Sequence, residues 1–297
     1  MRRTIAVLAG LVLAFSGGAC GGEREPGPGS ASSAPQAERP AAGDHRLTLR
    51  HGELDRDYLL HAPPGYDPSL PSPLVIALHF YPGSGAAMRE LTGLDARADR
   101  ENFLVAYPDG KDGGFNALIC CGSTDDVGFL SALTGHLIDA WGVDPARVYL
   151  TGISNGGDMS FRAAVEATGL FAAIGVVSGG YSGPRTEPDD YVPKRPVSVI
   201  TFVGGQDRFA DTFRQGVRTW QQRLGCRPVP AKSPAGRAGV TRADARCADG
   251  SDVTVWSLSD MGHSWPGATS GQLAAPDAGL VATDLIWEFF AAHPRRL

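Results

Sequence analysis

The sequence predicts an α/β fold in which a mostly parallel sheet is covered by helices on both faces. Continuous apolar runs such as residues 74–78 and 103–107 recur along the 297-residue chain, and such runs are typical of strands buried on both faces. Segments with apolar residues at helical spacing lie between these runs. This alternation is typical of a parallel sheet, and because no internal repeat is visible, we expect one folded domain over residues 44–297.

The N-terminus has the pattern of a secretory signal peptide over residues 1–19. Two arginines supply positive charge, an apolar stretch follows, and small residues precede Cys20. This arrangement resembles a bacterial lipoprotein signal, in which the cysteine becomes the lipidated first residue. We therefore expect Cys20 to anchor the protein at the outer face of a membrane, with plain secretion as the alternative. No later apolar segment has the length needed to cross a bilayer.

Residues 20–43 are rich in Gly, Pro, Ser and Ala and have no apolar period, so they predict a disordered linker between the anchor and the domain. The formal net charge is -5, and no run of basic residues follows the signal peptide. Nucleic acid is therefore not an expected partner. We expect contact with a membrane only through the lipid anchor, and no feature of the sequence indicates a protein partner.

The predicted elements of the domain follow in order along the chain. The strands are predicted at residues 46–49, 57–61, 74–78, 103–107, 147–150, 173–177, 197–203 and 253–258. The hydroxyl of Ser123 and the carboxylate of Asp126 fit a capping box, which predicts a helix that Gly142 ends. A last helix is predicted at residues 280–290, where apolar residues share one face.

The segment Gly152-Ile153-Ser154-Asn155-Gly156 lies between a buried strand and a predicted helix start. Strand, Gly-x-Ser-x-Gly and helix form the context of a nucleophile elbow, a sharp turn that lifts the serine hydroxyl above the edge of the sheet. The glycines have no Cβ, so the crowded backbone can make the turn. The positive end of the following helix would face any charge that develops at the serine. Ser154 is therefore the candidate nucleophile.

A serine nucleophile needs a base that takes its proton and an acid that orients the base. In this type of sheet the acid and the histidine follow the serine in that order, each on a loop after a strand. The strands at 197–203 and 253–258 run out into Asp207 and His263, which we predict as acid and base. The alternatives are Asp190 and Asp211 for the acid, and His79 and His136 for the base.

An oxyanion hole should combine two backbone N–H groups. Asn155, the residue after the nucleophile, would supply one of them. Phe80 or Tyr81, on the loop after the strand at 74–78, would supply the other, and the sequence does not decide between these two residues.

The sequence indicates neither a metal nor a cofactor. No histidine pair has the spacing of a zinc protease site, and the adjacent Cys120 and Cys121 lack the spaced partners of a structural zinc site. A phosphate-binding loop and a dinucleotide fingerprint are also missing from the sequence. We therefore expect neither a metal nor a cofactor at the site.

Four cysteines remain if Cys20 carries lipid, and outside the cytoplasm they should be oxidised. Of the three possible pairings we favour Cys226–Cys247, because this bond would close the Pro-, Gly- and Arg-rich loop between them. Cys120 and Cys121 then remain either as free thiols or as a bond between adjacent residues.

Several blocks of the chain together resemble a known family. The blocks are Pro108-Asp109-Gly110, Cys120-Cys121-Gly122, Asp125-Asp126-Val127-Gly128-Phe129, Gly152-Ile153-Ser154-Asn155-Gly156-Gly157 and Gly262-His263-Ser264-Trp265-Pro266-Gly267. Their order is similar to that in the secreted polyhydroxybutyrate depolymerases and feruloyl and acetyl-xylan esterases, which include lipoproteins. The resemblance covers residues 46–293. One departure is that His79 is followed by Phe80-Tyr81, where the family usually has a glycine.

The resemblance implies an α/β-hydrolase fold, a triad of Ser154, Asp207 and His263, and a substrate pocket near Trp265. It implies an extracytoplasmic serine hydrolase that cleaves small or polymeric carboxylic esters through an acyl-enzyme. Two alternatives fit the same residues. One is an acyltransferase that uses the same triad, and the other is a non-catalytic binding lipoprotein on a hydrolase scaffold.

Overall fold

The computed structural model describes residues 40–230 and 238–295. The predicted signal peptide, the predicted lipid anchor Cys20 and residues 20–39 of the predicted linker lie outside the described residues. The linker was predicted to extend to residue 43, and Gly43 is already the first residue of a strand.

Ten strands form one sheet, and the sequence predicts eight of them. They are β1 (Gly43–His51), β2 (Leu54–Ala62), β3 (Ser72–Leu78), β4 (Leu104–Pro108), β5 (Val143–Ile153), β6 (Ala173–Val177), β7 (Ser198–Gly204), β8 (Arg227–Val229), β9 (Val240–Arg246) and β10 (Asp252–Leu258). The two strands that the sequence does not predict are β8 and β9. Two further short strands, β11 (Trp265–Pro266) and β12 (Ala274–Ala275), pair with each other.

The centre of the sheet is parallel, in the order β4-β3-β5-β6-β7-β10. The β1–β2 hairpin adds antiparallel strands at one edge, and β9 and β8 add them at the other. The carboxyl ends of the parallel strands therefore share one edge of the sheet. Ile153 at the end of β5 lies beside Val177 of β6, and Gly204 of β7 lies beside Leu258 of β10. The loops after these strands are thus neighbours.

In the part of the chain that the structure describes, six α-helices cover the sheet. They are α1 (Gly85–Thr92), α2 (Leu94–Glu101), α3 (Asp126–Trp141), α4 (Asn155–Glu166), α5 (Ala210–Arg223) and α6 (Ala282–Ala292). Side chains of α3, α4 and α5 fill the core on one face, while those of α1, α2 and α6 fill it on the other. The predicted α/β architecture is confirmed. Among the residues that the structure describes, no helix combines the length and hydropathy that a membrane span requires.

A disulfide bond joins Cys226 and Cys247, the pairing that the sequence favours. The sequence predicts a loop between these cysteines, but both ends of this segment are strands. β8 starts directly after Cys226 and pairs with β9, which ends directly before Cys247. Residues 231–237 between these strands lie outside the described part of the chain. The bond therefore closes the base of a hairpin at the edge of the sheet.

Helix α3 begins differently from the sequence prediction. Its N-cap is Asp125, whose Oδ1 accepts a hydrogen bond from the N–H of Gly128 at 2.9 Å. The predicted capping box of Ser123 and Asp126 is wrong, because Asp126 is fully buried and its carboxylate points into the protein rather than toward the end of the helix. Gly142 ends the helix as predicted, with a φ of 63°.

The buried carboxylate of Asp126 is paired with Arg56 of β2. The Arg56 Nη2 donates to Asp126 Oδ1 at 2.7 Å, and the guanidinium lies 4.0 Å from the ring centre of Phe129. The other oxygen of Asp126 accepts hydrogen bonds from Asn116 N–H and the Thr124 hydroxyl. Because every oxygen is satisfied, the charge is tolerated inside the protein. The pair ties β2 to α3 and to the loop before it.

A second ionic cluster fastens the β1–β2 hairpin to the helices α1 and α2. His61 of β2 donates from Nδ1 to Asp44 at 2.7 Å and from Nε2 to Asp99 at 3.0 Å. Arg89 of α1 binds both Asp44 and Asp95. Burial opposes the charged imidazole, but the surrounding carboxylates outweigh it and raise the pKa of His61. Since both ring nitrogens face carboxylates, the bonded form of His61 is the imidazolium.

We expect Asp126→Asn to lower the free energy of unfolding by about 3 kcal/mol, because it leaves Arg56 buried without a counter-charge. Urea unfolding measures the loss. The matched control is Asp55→Asn, which removes the exposed partner of Arg50 and should cost less than about 1 kcal/mol. Equal losses in the two variants would show that the buried pair does not hold α3 in place.

We expect the His61 cluster to make stability depend on pH. The pKa of His61 is higher in the folded protein, so its contribution is full below the unfolded value of about 6.5 and is lost as the pH rises through the folded value. His61→Gln should remove this decline from urea unfolding measured between pH 5.5 and 8.5. The control His136→Gln changes an exposed histidine of α3, and its pH profile should match that of the parent; a parent-like profile for His61→Gln would contradict the assignment.

Candidate active site

The candidate nucleophile lies on a strained turn between β5 and α4. Ser154 has φ 56° and ψ -123°, a backbone conformation that costs a residue other than glycine about 1–3 kcal/mol. Its N–H donates to the carbonyl of Val177 in β6 at 3.0 Å, which fixes the turn to the sheet. Ser154 is partly exposed, although all residues of β5 from 148 onward and of the first turns of α4 are buried. The turn therefore lifts this one residue out of the core.

The two glycines of the motif are required by close backbone contacts. A Cβ on Gly156 would lie 2.2 Å from the carbonyl oxygen of Leu78 at the end of β3. A Cβ on Gly152 would lie 2.3 Å from the carbonyl oxygen of Gly156. Because real Cβ atoms do not approach carbonyl oxygens this closely, only glycine fits at either position. The Gly-x-Ser-x-Gly pattern thus follows from the packing of α4 against the end of β3.

The structure brings Asp207 and His263 together from the loops after β7 and β10. His263 Nδ1 donates to Asp207 Oδ2 at 2.7 Å, and the other carboxylate oxygen accepts the N–H of Phe209 at 2.9 Å. The Asp207 side chain is fully buried, while that of His263 is 27% exposed. Since a carboxylate can only accept, Nδ1 carries the proton and Nε2 is left as a free acceptor. His263 therefore has the tautomer that a general base requires.

Ser154 and His263 belong to loops on the same edge of the sheet, with the ends of β6 and β7 between them. Ser178, the first residue after β6, donates its N–H to Phe202 of β7 and its hydroxyl to the carbonyl of Ser264 at 3.5 Å. In the described part of the chain no hydrogen bond joins the Ser154 hydroxyl to His263. In free enzymes this bond is often long and tightens when substrate binds.

The alternative acids and bases lie in other places. Asp211 is fully exposed and paired with Arg214, and Asp190 is exposed. His136 is an exposed residue of α3. These three side chains do not take part in the Asp207–His263 arrangement.

His79, the remaining alternative base, is buried and holds the loop after β3. Its Nε2 accepts the N–H of Gly110 at 2.9 Å, so Nδ1 carries the proton and donates to the carbonyl of Phe80 at 2.7 Å. Burial lowers the pKa of His79, which favours this neutral form. Because both ring nitrogens are occupied by backbone groups, His79 has a positioning role for the candidate oxyanion loop.

The two candidate donors of that loop differ in their side chains. Phe80 is only 6% exposed and packs in the core with Met88, whereas Tyr81 is 51% exposed. The bulky residue that replaces the usual glycine is therefore part of the hydrophobic core. The N–H of either residue stays a candidate for the oxyanion hole together with that of Asn155 at the start of α4.

The side chain of Asn155 fastens a neighbouring loop, a role that the sequence analysis does not predict. Its Oδ1 accepts the N–H of Phe115 at 2.8 Å, and its Nδ2 donates to the carbonyls of Phe115 and Cys120. Cys120 and Cys121 are joined by a disulfide bond, which decides between the two states that the sequence left open. The disulfide loop, residues 115–121, is thus bonded directly to the residue after the nucleophile.

Asp158 of α4 is a second buried polar residue that the sequence analysis misses. Its Oδ1 accepts the N–H of Gly180 on the loop after β6 at 2.8 Å. Burial raises the pKa of Asp158 to about 7. Asp158 is the fourth residue after Ser154, in the first turn of α4. Carboxylates are common in the first turn of a helix, but they are rarely buried, so the sequence pattern does not indicate a buried role.

The structure corrects the role expected for Trp265. This side chain is fully buried, and its indole N–H donates to the Thr283 hydroxyl of α6 at 3.0 Å. Thr283 in turn donates to the carbonyl of Thr92 at the end of α1. With no exposed surface, Trp265 cannot line a substrate pocket. Its hydrogen bond links β11 directly to α6, and Thr283 extends this link to α1.

Within the described residues, one cluster has potential metal ligands close to one another, namely Asp44, His61 and Asp95. Arg89 binds both of these carboxylates, so a fixed cation already occupies the position that a metal ion would take. The cluster lies between the β1–β2 hairpin and α2, and none of its residues belongs to the loops that carry Ser154 and His263.

Proteins with similar sequences carry the names of esterases. A protein from Nocardia uniformis subsp. tsuyamanensis that is assigned as an esterase, NocK, is 31% identical over 317 aligned residues, which cover 88% of this chain and 90% of that protein. Feruloyl esterase C of Emericella nidulans is 31% identical over 247 residues, which cover 80% of this chain and 84% of that enzyme. No family model matches the chain.

Solved structures with the same fold are also esterases by name. An acetyl xylan esterase from Aspergillus awamori superimposes with a TM-score of 0.62 over 84% of this chain and 99% of that chain, at 16% identity. Esterase 2 of Thermogutta terrifontis superimposes with a TM-score of 0.59 over 84% of this chain and 94% of that chain, at 13% identity. At this level of identity the likeness concerns the fold alone, and it confirms the predicted α/β-hydrolase fold.

We expect Gly156→Ala to destabilise the protein by about 1–3 kcal/mol, because the new methyl group would force α4 away from the carbonyls of Leu78 and His79. Esterase activity should fall with it. The control Gly135→Ala lies in α3 with no atom within 4 Å of the added Cβ, so it should be neutral or stabilise by up to about 1 kcal/mol. A Gly156→Ala protein with parent-like urea unfolding and activity would show that the close contact is not required.

Proposed function

Because this chain belongs to the feruloyl and acetyl-xylan esterase-like α/β-hydrolases and is a carboxylic ester hydrolase, we propose that Ser154, His263 and Asp207 are its catalytic triad. The observation that carries the proposal is the 2.7 Å hydrogen bond between a buried carboxylate and a histidine whose other nitrogen is free. The strained backbone of Ser154, on the same edge of the sheet, supports the assignment of the nucleophile.

In the proposed reaction, His263 Nε2 takes the proton of the Ser154 hydroxyl as its oxygen attacks the ester carbonyl carbon. Asp207 keeps the ring in position and stabilises the imidazolium that forms. His263 then passes the proton to the leaving alcohol oxygen, and the ester C–O bond breaks. Water attacks the acyl-enzyme in the second half of the reaction, with His263 again as base, and releases the acid and Ser154.

The negative charge on the carbonyl oxygen would be held by the N–H of Asn155 and by that of Phe80 or Tyr81. Asn155 opens α4, so the positive end of the helix faces the same oxygen. His79 would help to position the donor on the loop after β3. Its hydrogen bond to the Phe80 carbonyl fixes the direction of the peptide groups in that loop.

We also propose that the enzyme works outside the cytoplasm and is held there by a lipid on Cys20. Two disulfide bonds support an oxidising compartment. The signal peptide pattern and the linker before residue 44 support export and tethering. The substrate would be a small or polymeric carboxylic ester, and the relative named feruloyl esterase C supports feruloyl esters as one candidate class.

The test is hydrolysis of p-nitrophenyl acetate by the full chain and its variants. Ser154→Ala should reduce kcat by several orders of magnitude, and Asp207→Asn by about 10⁴-fold because the histidine loses its partner and its tautomer. A fluorophosphonate should label the parent and fail to label Ser154→Ala.

The matched controls are Ser131→Ala in α3 and Asp211→Asn, the alternative acid after β7. Both should keep the parent rate, since neither side chain approaches His263. Parent-like activity in Ser154→Ala, or a larger loss in Asp211→Asn than in Asp207→Asn, would contradict the proposed triad.

A further inference from the structure

Exposed apolar side chains gather around the candidate triad. Six large hydrophobic residues are exposed in the described part of the chain: Leu70, Tyr81, Ile119, Phe209, Val229 and Val281. Three of them, Tyr81, Ile119 and Phe209, lie on the three separate loops that carry or touch the candidate machinery; we call these three the apolar rim. Apolar surface concentrated at one place on a soluble protein is typical of a binding site.

Ile119 lies at the tip of the disulfide loop and is 54% exposed. The next residue, Cys120, gives its carbonyl to the Asn155 side chain at 3.1 Å. On the other side, Ile119 lies against the loop after β6, where its Cγ1 would be 3.4 Å from a Cβ on Gly183. Ile119 therefore stands between the residue after the nucleophile and the loop after β6.

The disulfide loop is held firmly enough to present Ile119 in one position. The Asn155 side chain fixes the two ends of the loop by accepting one hydrogen bond from Phe115 and donating two, to the carbonyls of Phe115 and Cys120, and the Cys120–Cys121 bond adds a covalent link. The backbone of Gly114, just before the loop, lies against both the Tyr81 ring and Cys121, so closely that a Cβ there would be 2.6 Å from the ring. An apolar side chain on a fixed support can bind a ligand without a large loss of conformational entropy.

Phe209 is 41% exposed and lies beside the candidate base. Its ring centre is 6.0 Å from that of His263 in an edge-on arrangement, and its N–H is bonded to Asp207. The Arg208 guanidinium covers one face of the ring at 4.6 Å. The Phe213 ring lies 6.0 Å away, and the exposed part of the Phe209 ring lies next to the histidine that would protonate the leaving alcohol.

The geometry of ester cleavage assigns the two sides of the rim to two parts of the substrate. In the tetrahedral intermediate the leaving oxygen must face His263, and the carbonyl oxygen must face the Asn155 N–H. The acyl chain leaves the same carbon on the side away from the leaving oxygen. The alcohol portion is therefore directed toward His263 and Phe209, which leaves Ile119 on the disulfide loop as the exposed apolar side chain available to the acyl portion.

On the basis of the proposed function, we propose that Ile119 and Phe209 are specificity-determining residues that bind apolar groups on opposite sides of the scissile bond. The preferred substrate is then an ester of an apolar acid with an apolar alcohol. Ile119 contacts the acyl portion, and Phe209 contacts the alcohol portion. A sugar ester, with a polar alcohol portion, would use only the Ile119 side fully.

The acyl half is tested with p-nitrophenyl hexanoate and p-nitrophenyl acetate on the full chain. The parent should have the higher kcat/KM for hexanoate. Ile119→Ser should lower the hexanoate-to-acetate ratio of kcat/KM about fivefold, mainly through KM, because the lost contact is that of a half-buried isoleucine. Ile119→Leu, which keeps the apolar surface, should restore the ratio.

The alcohol half is tested with benzyl acetate and methyl acetate, followed by titration of the released acid. Phe209→Ser should lower the benzyl-to-methyl ratio of kcat/KM about fivefold and leave the hexanoate-to-acetate ratio as in the parent. Ile119→Ser should show the opposite pattern. In the double variant the hexanoate-to-acetate ratio should fall as in Ile119→Ser, and the benzyl-to-methyl ratio as in Phe209→Ser. The two effects should be independent because the residues lie on different loops.

Leu70→Ser is the matched control, since Leu70 is as exposed as Ile119 but lies near Gly142 at the opposite edge of the sheet. It should change neither ratio. The proposal is overturned if both ratios stay at parent values in the Ile119 and Phe209 variants, or if both fall equally in each. If Ser154→Ala is inactive in the same assays, those outcomes contradict only the specificity proposal and leave the proposed triad intact. An active Ser154→Ala would contradict the triad itself.

Discussion

A close backbone contact between α4 and the end of β3 supports the rest of the candidate site. The helix starts so near this strand that Gly156 has no space for a Cβ beside the carbonyls of Leu78 and His79. The contact places the positive end of the helix opposite the loop after β3, with Ser154 between them. Ser154, in the turn just before this helix, has a positive φ of 56°.

The loops around this turn are held by buried polar side chains rather than by secondary structure. His79 bonds the backbone of Gly110 and Phe80, while Asn155 bonds the backbone of the disulfide loop. Asp158 accepts a hydrogen bond from the backbone N–H of Gly180 and so holds the loop after β6. A buried polar group that loses its partner costs about 1–3 kcal/mol, so none of these loops can shift alone. The site is therefore rigid although most of its groups lie on loops.

Two buried carboxylates show how the partner decides the role of a charge. Asp126 faces Arg56 in an ion pair that is buried on both sides, and the pair therefore serves the structure. Asp207 faces His263, whose imidazole has one nitrogen that can donate a proton and one that can accept it. The first pair is sealed from solvent on both sides, while the histidine of the second is partly exposed. Only the second arrangement can move a proton to and from a substrate.

The sequence alone predicts eight of the ten strands, the elbow, and the placement of Asp207 and His263 after their strands. It can do so because a strand buried on both faces leaves a continuous apolar run, and the loop after it follows directly. It cannot determine what a side chain meets across the fold. Asp126 has the pattern of a cap, yet its partner Arg56 is 70 residues away. Trp265 follows the base, yet two helices bury it. Tertiary structure decides these cases, because burial and pairing depend on elements that are remote in the chain.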